Sequence, residues 1–303
     1  MDQTSNNIKI NAAETLPDHS IQRKAKDRLF LLLVIVLSVI TISIVVFIIG
    51  TLVFKGFRQI NWAFFTQVAP DTFQAMMAKA NGEIIPGGIA NGITGSLYLV
   101  FLSSIFAIPF GLLIGVFLYE SGDTKYANVI RDITDVLQGV PSIVIGIIVY
   151  LWIVVHVTHS YSVLAGGVSL AIMMLPLIIR STEESLKMIP DTLKEAAIAL
   201  GTPYYKVILK VLIPTSLSGL VTGILLAISR VLGETAPLML TILGNPGINW
   251  HITKPVSAVP LLVWQFYNDP NMVDLIWSST LFLMGFVLIL NLTSKWVAAR
   301  RNA

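Results

Sequence analysis

Long apolar runs alternate with short polar segments along most of this chain. A helix needs about 20 mostly apolar residues to cross about 30 Å of hydrocarbon. Six runs are close to that length or longer, and each is predicted to be a membrane-spanning helix. These runs cover residues 29–54, 93–119, 133–155, 163–179, 217–243 and 275–297.

The composition points to the same class of protein. The 303 residues are 55% hydrophobic and only 12% charged, whereas soluble domains are about 25% charged. The pattern therefore predicts an all-α, multi-pass membrane protein. The chain has no cysteine, which excludes disulfides and thiolate metal sites. It also lacks a G-x-x-x-x-G-K-[ST] phosphate loop, so any nucleotide that powers it must be bound by another chain.

Basic residues are distributed unevenly between the two sides of the predicted bundle. With the amino terminus inside, the inner segments hold 15 of the 20 Lys and Arg residues. Because cytoplasmic loops carry an excess of these residues, both termini are predicted to be cytoplasmic. We expect residues 1–28 to be a cytoplasmic tail, disordered at its start, and residues 29–299 to be the transmembrane domain. The first apolar run is too long for a cleaved signal peptide and is predicted to remain as an anchor.

The inner segment 180–216, between the fourth and fifth spans, has the sequence of helices and not of a loop. Two S/T-x-x-E patterns predict helix starts with capping boxes. Gly201 is placed to stop the first helix and Pro214 to end the second. The segment is either an amphipathic hairpin resting on the inner leaflet or a docking element for a cytoplasmic partner. The predicted capping pairs are Ser181 with Glu184 and Thr192 with Glu195.

A spacing within this segment resembles a known motif. Glu195-Ala196-Ala197, three residues, Gly201, nine residues and then Val-Leu-Ile-Pro resembles the EAA loop of ABC importer permeases. The resemblance implies the type I ABC importer permease fold, with six transmembrane helices. It also implies that Glu195, Ala196, Ala197 and Gly201 belong to a coupling helix that docks in a groove of an ATPase subunit.

Two charges interrupt the apolar run "AISRVLGETAPLMLT" at residues 227–241. A charge at the centre of a membrane helix costs roughly 2.5–3.5 kcal/mol on insertion scales. Arg230 and Glu234 are four positions apart, so on a continuous helix they share a face. They are either a buried pair that neutralises itself or part of a substrate pathway. In a pathway, the guanidinium would bind an oxyanion bidentately, and the carboxylate would compete for the guanidinium and keep that binding transient.

The same stretch resembles the fifth span of the A-type permease of phosphate-specific (Pst) importers, in which an A-R-x-L-G-E-T-A-P-L core recurs. Ser229 stands where that core usually has Ala. The stretches "GGIANGITGSLYL", "LQGVPSIVIGI" and "LPLIIRSTEESL" extend the resemblance to about residues 85–300. It implies a homologous second (C-type) permease, two copies of an ATP-binding subunit and an extracytoplasmic phosphate-binding protein as partners. It further implies phosphate transport across the cell membrane, with ATP hydrolysed on a separate subunit.

Other classes of function are weighed against this one. An ABC permease for sulfate, molybdate or phosphonate would share the EAA loop. A stand-alone secondary anion transporter predicts internal repeats, and none is visible. An enzyme needs a nucleophile or metal constellation in its spans, and we find no catalytic residues, cofactor site or metal site. His156 and His159 lack a nearby carboxylate, and Glu183 and Glu184 are expected to be solvated or capping residues.

Overall fold

A computed structural model describes residues 20–301 of the chain, with the side chains of residues 26–296. The predicted disordered start of the tail lies outside the described residues. All regular elements in the described part are helical. Contacts divide the chain into two compact units, Met1–Thr51 and Leu52–Ala303. The first unit holds most of the continuous helix α1 (Ser20–Gly56), which is apolar from Leu29 to Phe54.

Among the described residues, five helices are long and apolar enough to cross a membrane, and there are six if one sharply bent pair is counted as a span. The continuous ones contain α1, α4 (Ala90–Ser121), α7 (Val163–Lys187), α10 (Ile213–Leu232) and α13 (Val273–Arg301). Shorter helices connect them at both ends of the second unit. These are α2 (Trp62–Thr66), α3 (Thr72–Ala80), α5 (Lys125–Gly139), α6 (Ser142–Val149), α8 (Asp191–Ala199), α9 (Tyr204–Val207), α11 (Ala236–Thr241) and α12 (Val259–Tyr267). We call the two ends of this unit the α8 side and the α12 side.

The predicted third span, residues 133–155, is not one helix. The axis bends by 102° between α5 and the helix formed by α6 and the π-helical turns Tyr150–Thr158. Pro141 precedes α6 directly, where its missing N–H costs no helical hydrogen bond. α5 carries several charges and one strongly polar face, so only the part after Pro141 is apolar throughout.

The fifth span also differs from its prediction. α9, a π-helical segment at Ile208–Leu212 and α10 form one continuous helix from Tyr204 to Leu232. Pro214 therefore does not end a helix, because it lies in the first turn of α10, after the wider π-helical segment. The helix stops at Gly233, and the predicted span 217–243 is wrong at both ends.

α4 and α7 are packed closely along their lengths. A methyl group on Gly111 would lie 2.6 Å from a side-chain carbon of Ile178, and one on Gly115 would lie 2.5 Å from Thr182 Cβ. Only glycine allows the backbones to approach this closely. Around this pair lies the main apolar cluster, which includes residues from α6, α10 and α11.

On the α12 side, the connection between α1 and α4 and the connection between α11 and α13 are folded, and they are not extended loops. Phe64, Ile89, Leu262 and Phe266 are buried in one apolar cluster that joins α2, α12 and the start of α13. The Ser96 hydroxyl accepts the Val259 N–H at 2.9 Å and ties this layer to α4. These contacts favour a packed cap on this side.

Candidate functional site

The structure places Arg230 in the last turn of α10 and Glu234 beyond the end of that helix. The N–H groups of Gly233 and Glu234 donate to the carbonyl oxygens of Arg230 (3.3 Å) and Val231 (3.2 Å), which closes the helix. The prediction that the two charges share one helix face is therefore wrong. The prediction failed because α10 ends at Gly233, which lies between Arg230 and Glu234 in the sequence.

Neither charge is paired within the part of the chain whose side chains the structure describes. Arg230 is exposed and Glu234 is half-buried, and neither forms a salt bridge among residues 26–296. The structure therefore does not contain the self-neutralising pair. The carbonyl end of a helix is partly negative and stabilises a nearby cation by roughly 0.3–1 kcal/mol. This location lowers the free-energy cost of the Arg230 charge and leaves the N–H donors of its guanidinium available.

The face of α10 that carries Arg230 is open in the single chain. Leu226, one turn earlier on that face, is 43% exposed. The adjacent Ser229 points the other way, since it is 8% exposed and its hydroxyl has no hydrogen-bond partner in the described part of the chain. An uncovered face with a free guanidinium can bind an anion or the surface of another subunit.

The EAA residues lie on α8 and the turn after it. Glu195 and Ala196 are exposed, whereas Ala197 is half-buried against a small apolar cluster that includes Val207 and Leu212. Gly201 has φ +74°, the left-handed conformation predicted for the stop. The motif therefore presents Glu195 and Ala196 outward and uses Ala197 for packing.

Both predicted capping boxes in this segment are wrong. Ser181 and Glu184 lie inside α7, which continues to Lys187. α8 begins at Asp191 and has no side-chain cap at its amino end, so Thr192 and Glu195 do not form a box. The pattern S/T-x-x-E occurs inside helices as well as at their starts, and here the apolar face of α7 extends through it.

Glu183 was expected to be solvated, but it is buried with a side-chain exposure of 2%. Its Oε1 atom lies 2.8 Å from Arg131 of α5 and 2.7 Å from Lys187 of α7. Arg131 also donates to the Leu118 carbonyl at 3.0 Å. This network ties α4, α5 and α7 together on the α8 side. Lys187 is four positions after Glu183 on the same helix, but Arg131 is too distant in sequence for spacing to reveal its pairing with Glu183.

Two cavities lie at opposite ends of the second unit. The cavity on the α12 side, about 300 Å³, is lined by Asn91, Gln265 and Asp269 among others and has no basic lining residue. The Asn271 N–H donates to the Asp269 carboxylate at 2.9 Å and lowers the pKa of Asp269. The group is therefore charged at neutral pH, which disfavours an anion in this cavity.

The cavity on the α8 side, about 460 Å³, lies between α7 and α10 and is lined mainly by hydroxyl groups. Glu184 is on its rim and is exposed. Five of the six lining hydroxyls already donate to backbone carbonyls, so they offer an anion no free donor, and the nearby carboxylate of Glu184 disfavours anion retention. The lining hydroxyls belong to Ser181, Ser185, Thr215, Ser216, Ser218 and Thr222.

No group of three His, Asp or Glu side chains in the described residues is arranged to hold a metal ion. His156 and His159 lie at the end of the π-helical turns, and His159 has a left-handed backbone with φ 51°. His156 Nδ1 contacts the Leu151 carbonyl within its own helical segment. The two histidines therefore have local backbone roles.

Solved structures establish the fold. The chain matches an inward-facing structure of the MetNI methionine ABC transporter with a TM-score of 0.59, at 21% identity, over 69% of this chain and 94% of that one. It also matches a bacterial ABC transporter involved in the import of the acidic polysaccharide alginate with a TM-score of 0.60, at 14% identity, over 93% of this chain and 99% of that one. The predicted type I ABC importer permease fold is confirmed.

Sequence relatives establish the family. The profile described as "Binding-protein-dependent transport system inner membrane component" matches residues 107–302. The phosphate transport system permease protein PstA of Yersinia pestis is 36% identical over 92% of this chain and 92% of its own. The PstA of Haemophilus influenzae is 33% identical over 90% of this chain and 94% of its own. This multi-pass membrane chain therefore belongs to the binding-protein-dependent transport system inner membrane components, and among them to the PstA permeases.

Proposed function

We propose that this chain is a membrane permease subunit of an ATP-driven importer that moves inorganic phosphate into the cytoplasm. The observation that supports the substrate most directly is the likeness to PstA phosphate transport permeases over nearly the whole chain. The exposed, unpaired Arg230 supplies a group of suitable chemistry. A guanidinium offers a planar set of donors that matches phosphate oxygens.

In this proposal Arg230 and Glu234 line the substrate pathway. Arg230 binds the oxyanion, and Glu234 competes for the guanidinium or accepts a hydrogen bond from a protonated oxyanion. The break at Gly233 lets the two side chains meet a ligand from different backbone segments. The second permease covers the open face of α10, so that the pathway forms between the two subunits.

Coupling is assigned to Glu195, Ala196, Ala197 and Gly201. The exposed side of α8 docks on an ATP-binding subunit, and the left-handed Gly201 fixes the turn that follows. The chain has no phosphate loop of its own, so ATP is hydrolysed on two copies of that separate subunit. An extracytoplasmic binding protein delivers phosphate to the α12 side, the α8 side is cytoplasmic, and both termini are cytoplasmic as well.

The test is phosphate uptake by proteoliposomes that contain the chain with its second permease, ATP-binding subunit and binding protein. We expect ATP-dependent uptake of labelled phosphate that excess sulfate or molybdate does not inhibit. Arg230→Gln should reduce uptake at least about tenfold, since each hydrogen bond to a charged group contributes about 1.5–3 kcal/mol. The matched control is Arg58→Gln, which removes an exposed arginine on the α12 side.

Three outcomes would contradict parts of this proposal. Competition by another oxyanion would favour a sulfate, molybdate or phosphonate permease. Uptake driven by an ion gradient in vesicles that contain this chain alone would favour a secondary transporter. Wild-type uptake by Arg230→Gln, with the complex assembled normally, would remove Arg230 from the pathway.

A further inference from the structure

The coupling helix α8 is attached to the rest of the unit by very few side chains. No residue of α8 is fully buried, and only Lys194 and Ala197 are even half-buried. These two are three positions apart, so they share the face of α8 that points toward the bundle. The EAA residue Glu195 lies next to Lys194 but is exposed.

Lys194 is the charged group of α8 that reaches other helices. Its ammonium nitrogen lies 3.4 Å from Glu120 Oε2, at the end of α4. The same nitrogen lies 5.2 Å from the ring centroid of Tyr119, also in α4, and 5.2 Å from that of Tyr204, at the start of α9. Both distances are within the range of cation–π attraction. One ammonium group therefore joins α8, α4 and the helix that continues into α10.

This contact is partly shielded from water. The side chain of Lys194 is 26% exposed and that of Glu120 is 20% exposed. The second oxygen of Glu120 is buried and has no hydrogen-bond partner among the described residues. Within those residues, Lys194 is also the sole salt-bridge partner of Glu120. Loss of the ammonium would leave a shielded carboxylate without a cation.

α4 is suited to carry a displacement onward. At Gly111 and Gly115 the backbone of α4 lies so close to α7 that the two helices cannot shift relative to each other without repacking of side chains. A movement of the α4 end at Tyr119 and Glu120 therefore moves the α4–α7 pair as a unit. The other half of the contact, Tyr204, begins the continuous helix that ends next to Arg230.

We infer that Lys194 is a positioning residue that transmits displacement of α8 to α4 and α10. This inference rests on the proposed function, in which α8 docks on the ATP-binding subunit. Glu195 and Ala196 then meet that subunit on one side of α8, and Lys194 holds the membrane helices on the other. If Lys194 only stabilised the fold, its loss would lower transport and ATP hydrolysis together. If Lys194 couples the helices, its loss lowers the amount of phosphate transported per ATP hydrolysed.

The test measures phosphate imported and ATP hydrolysed in the same proteoliposomes that contain the complete complex. For Lys194→Met, which keeps the apolar stem, we expect ATP hydrolysis within about twofold of wild type and transport per ATP lowered about tenfold. Lys194→Arg should retain most of the coupling, because it keeps the cation. The matched control is Lys210→Met, an exposed lysine of the same segment, which should leave the ratio unchanged.

Glu120→Gln weakens the same contact from the α4 side without altering α8. We expect this variant also to lower the amount of phosphate transported per ATP hydrolysed. If Lys194→Met does not assemble, the Glu120→Gln result decides. A parallel fall of transport and ATP hydrolysis, or an unchanged ratio in both variants, would overturn the inference. A wild-type complex that imports no phosphate would instead contradict the proposed function, so the two failures are distinguishable.

Discussion

Charged residues in this protein are stabilised in three different ways at the ends of its membrane helices. Glu183 is buried and is neutralised by Arg131 and Lys187. Lys194 is shielded by a carboxylate and two aromatic rings. Arg230 has neither kind of partner among residues 26–296 and lies at the carbonyl end of a helix. The first two arrangements hold helices together, and the third leaves donors free for a ligand.

Neutralising Glu183 should destabilise the protein. Glu183→Gln removes the carboxylate that receives Arg131 and Lys187, and Arg131 has only 13% of its side chain exposed. We expect a loss of about 2 kcal/mol, less than for a fully buried pair because Lys187 is 54% exposed and can turn to water. Denaturant titration in detergent measures the change. The adjacent Glu184→Gln is the control and should change stability little, since Glu184 is exposed.

Ser229→Ala should stabilise the protein. The Ser229 hydroxyl is buried without a hydrogen-bond partner among the described residues, and such a group costs about 1–3 kcal/mol. Removing it leaves a cavity no larger than one oxygen atom, so the net gain should be about 1 kcal/mol. The same titration in detergent detects it. A loss of stability would mean that the hydroxyl has a partner in the assembled membrane protein.

Helices of this protein approach each other through small residues that lie opposite hydroxyls. A methyl group on Gly219 of α10 would lie 2.8 Å from Ser185 Cβ of α7, and one on Gly223 would overlap Ser181. The pair Gly219 and Gly223 faces the pair Ser181 and Ser185, and the members of each pair are four positions apart. This spacing brings the two backbones close and forms the inner wall of the hydroxyl-lined cavity.

Gly223→Ala should therefore separate α7 from α10. We expect a cost of about 1–3 kcal/mol from overpacking and a loss of transport, because the hydroxyl-lined cavity changes shape. Restoring space with the double variant Gly223→Ala, Ser181→Gly should recover part of both. Gly285→Ala in α13 is the control, since its added methyl meets no atom within 4 Å. If the double variant is no better than the single one, the contact does not determine the spacing.

At the scale of the whole molecule, the sequence predicted the fold and the helical segment between the fourth and fifth spans, but not the full extent of every span. Apolar run length is enough to place α4, α7 and α13, and the EAA spacing places α8. The stop at Gly233 was missed because glycine is common inside membrane helices, so its presence alone does not decide a break. Glu183 was misplaced because its partner Arg131 is distant in sequence, and Lys194 was overlooked because a single lysine in a short helix has no pattern.

The orientation of the whole molecule can be tested because the chain has no cysteine. Lys254 is exposed on the α12 side and Lys206 is exposed on the α8 side, so a cysteine at either position is open to reagent. In spheroplasts, a membrane-impermeant maleimide should label Lys254→Cys directly and Lys206→Cys only after permeabilisation. We expect this labelling because the segments on the α8 side carry an excess of Lys and Arg, and such segments are retained in the cytoplasm. The opposite labelling would place α8 outside the cell, where no ATP-hydrolysing subunit could reach Glu195, and would contradict the coupling role of this helix.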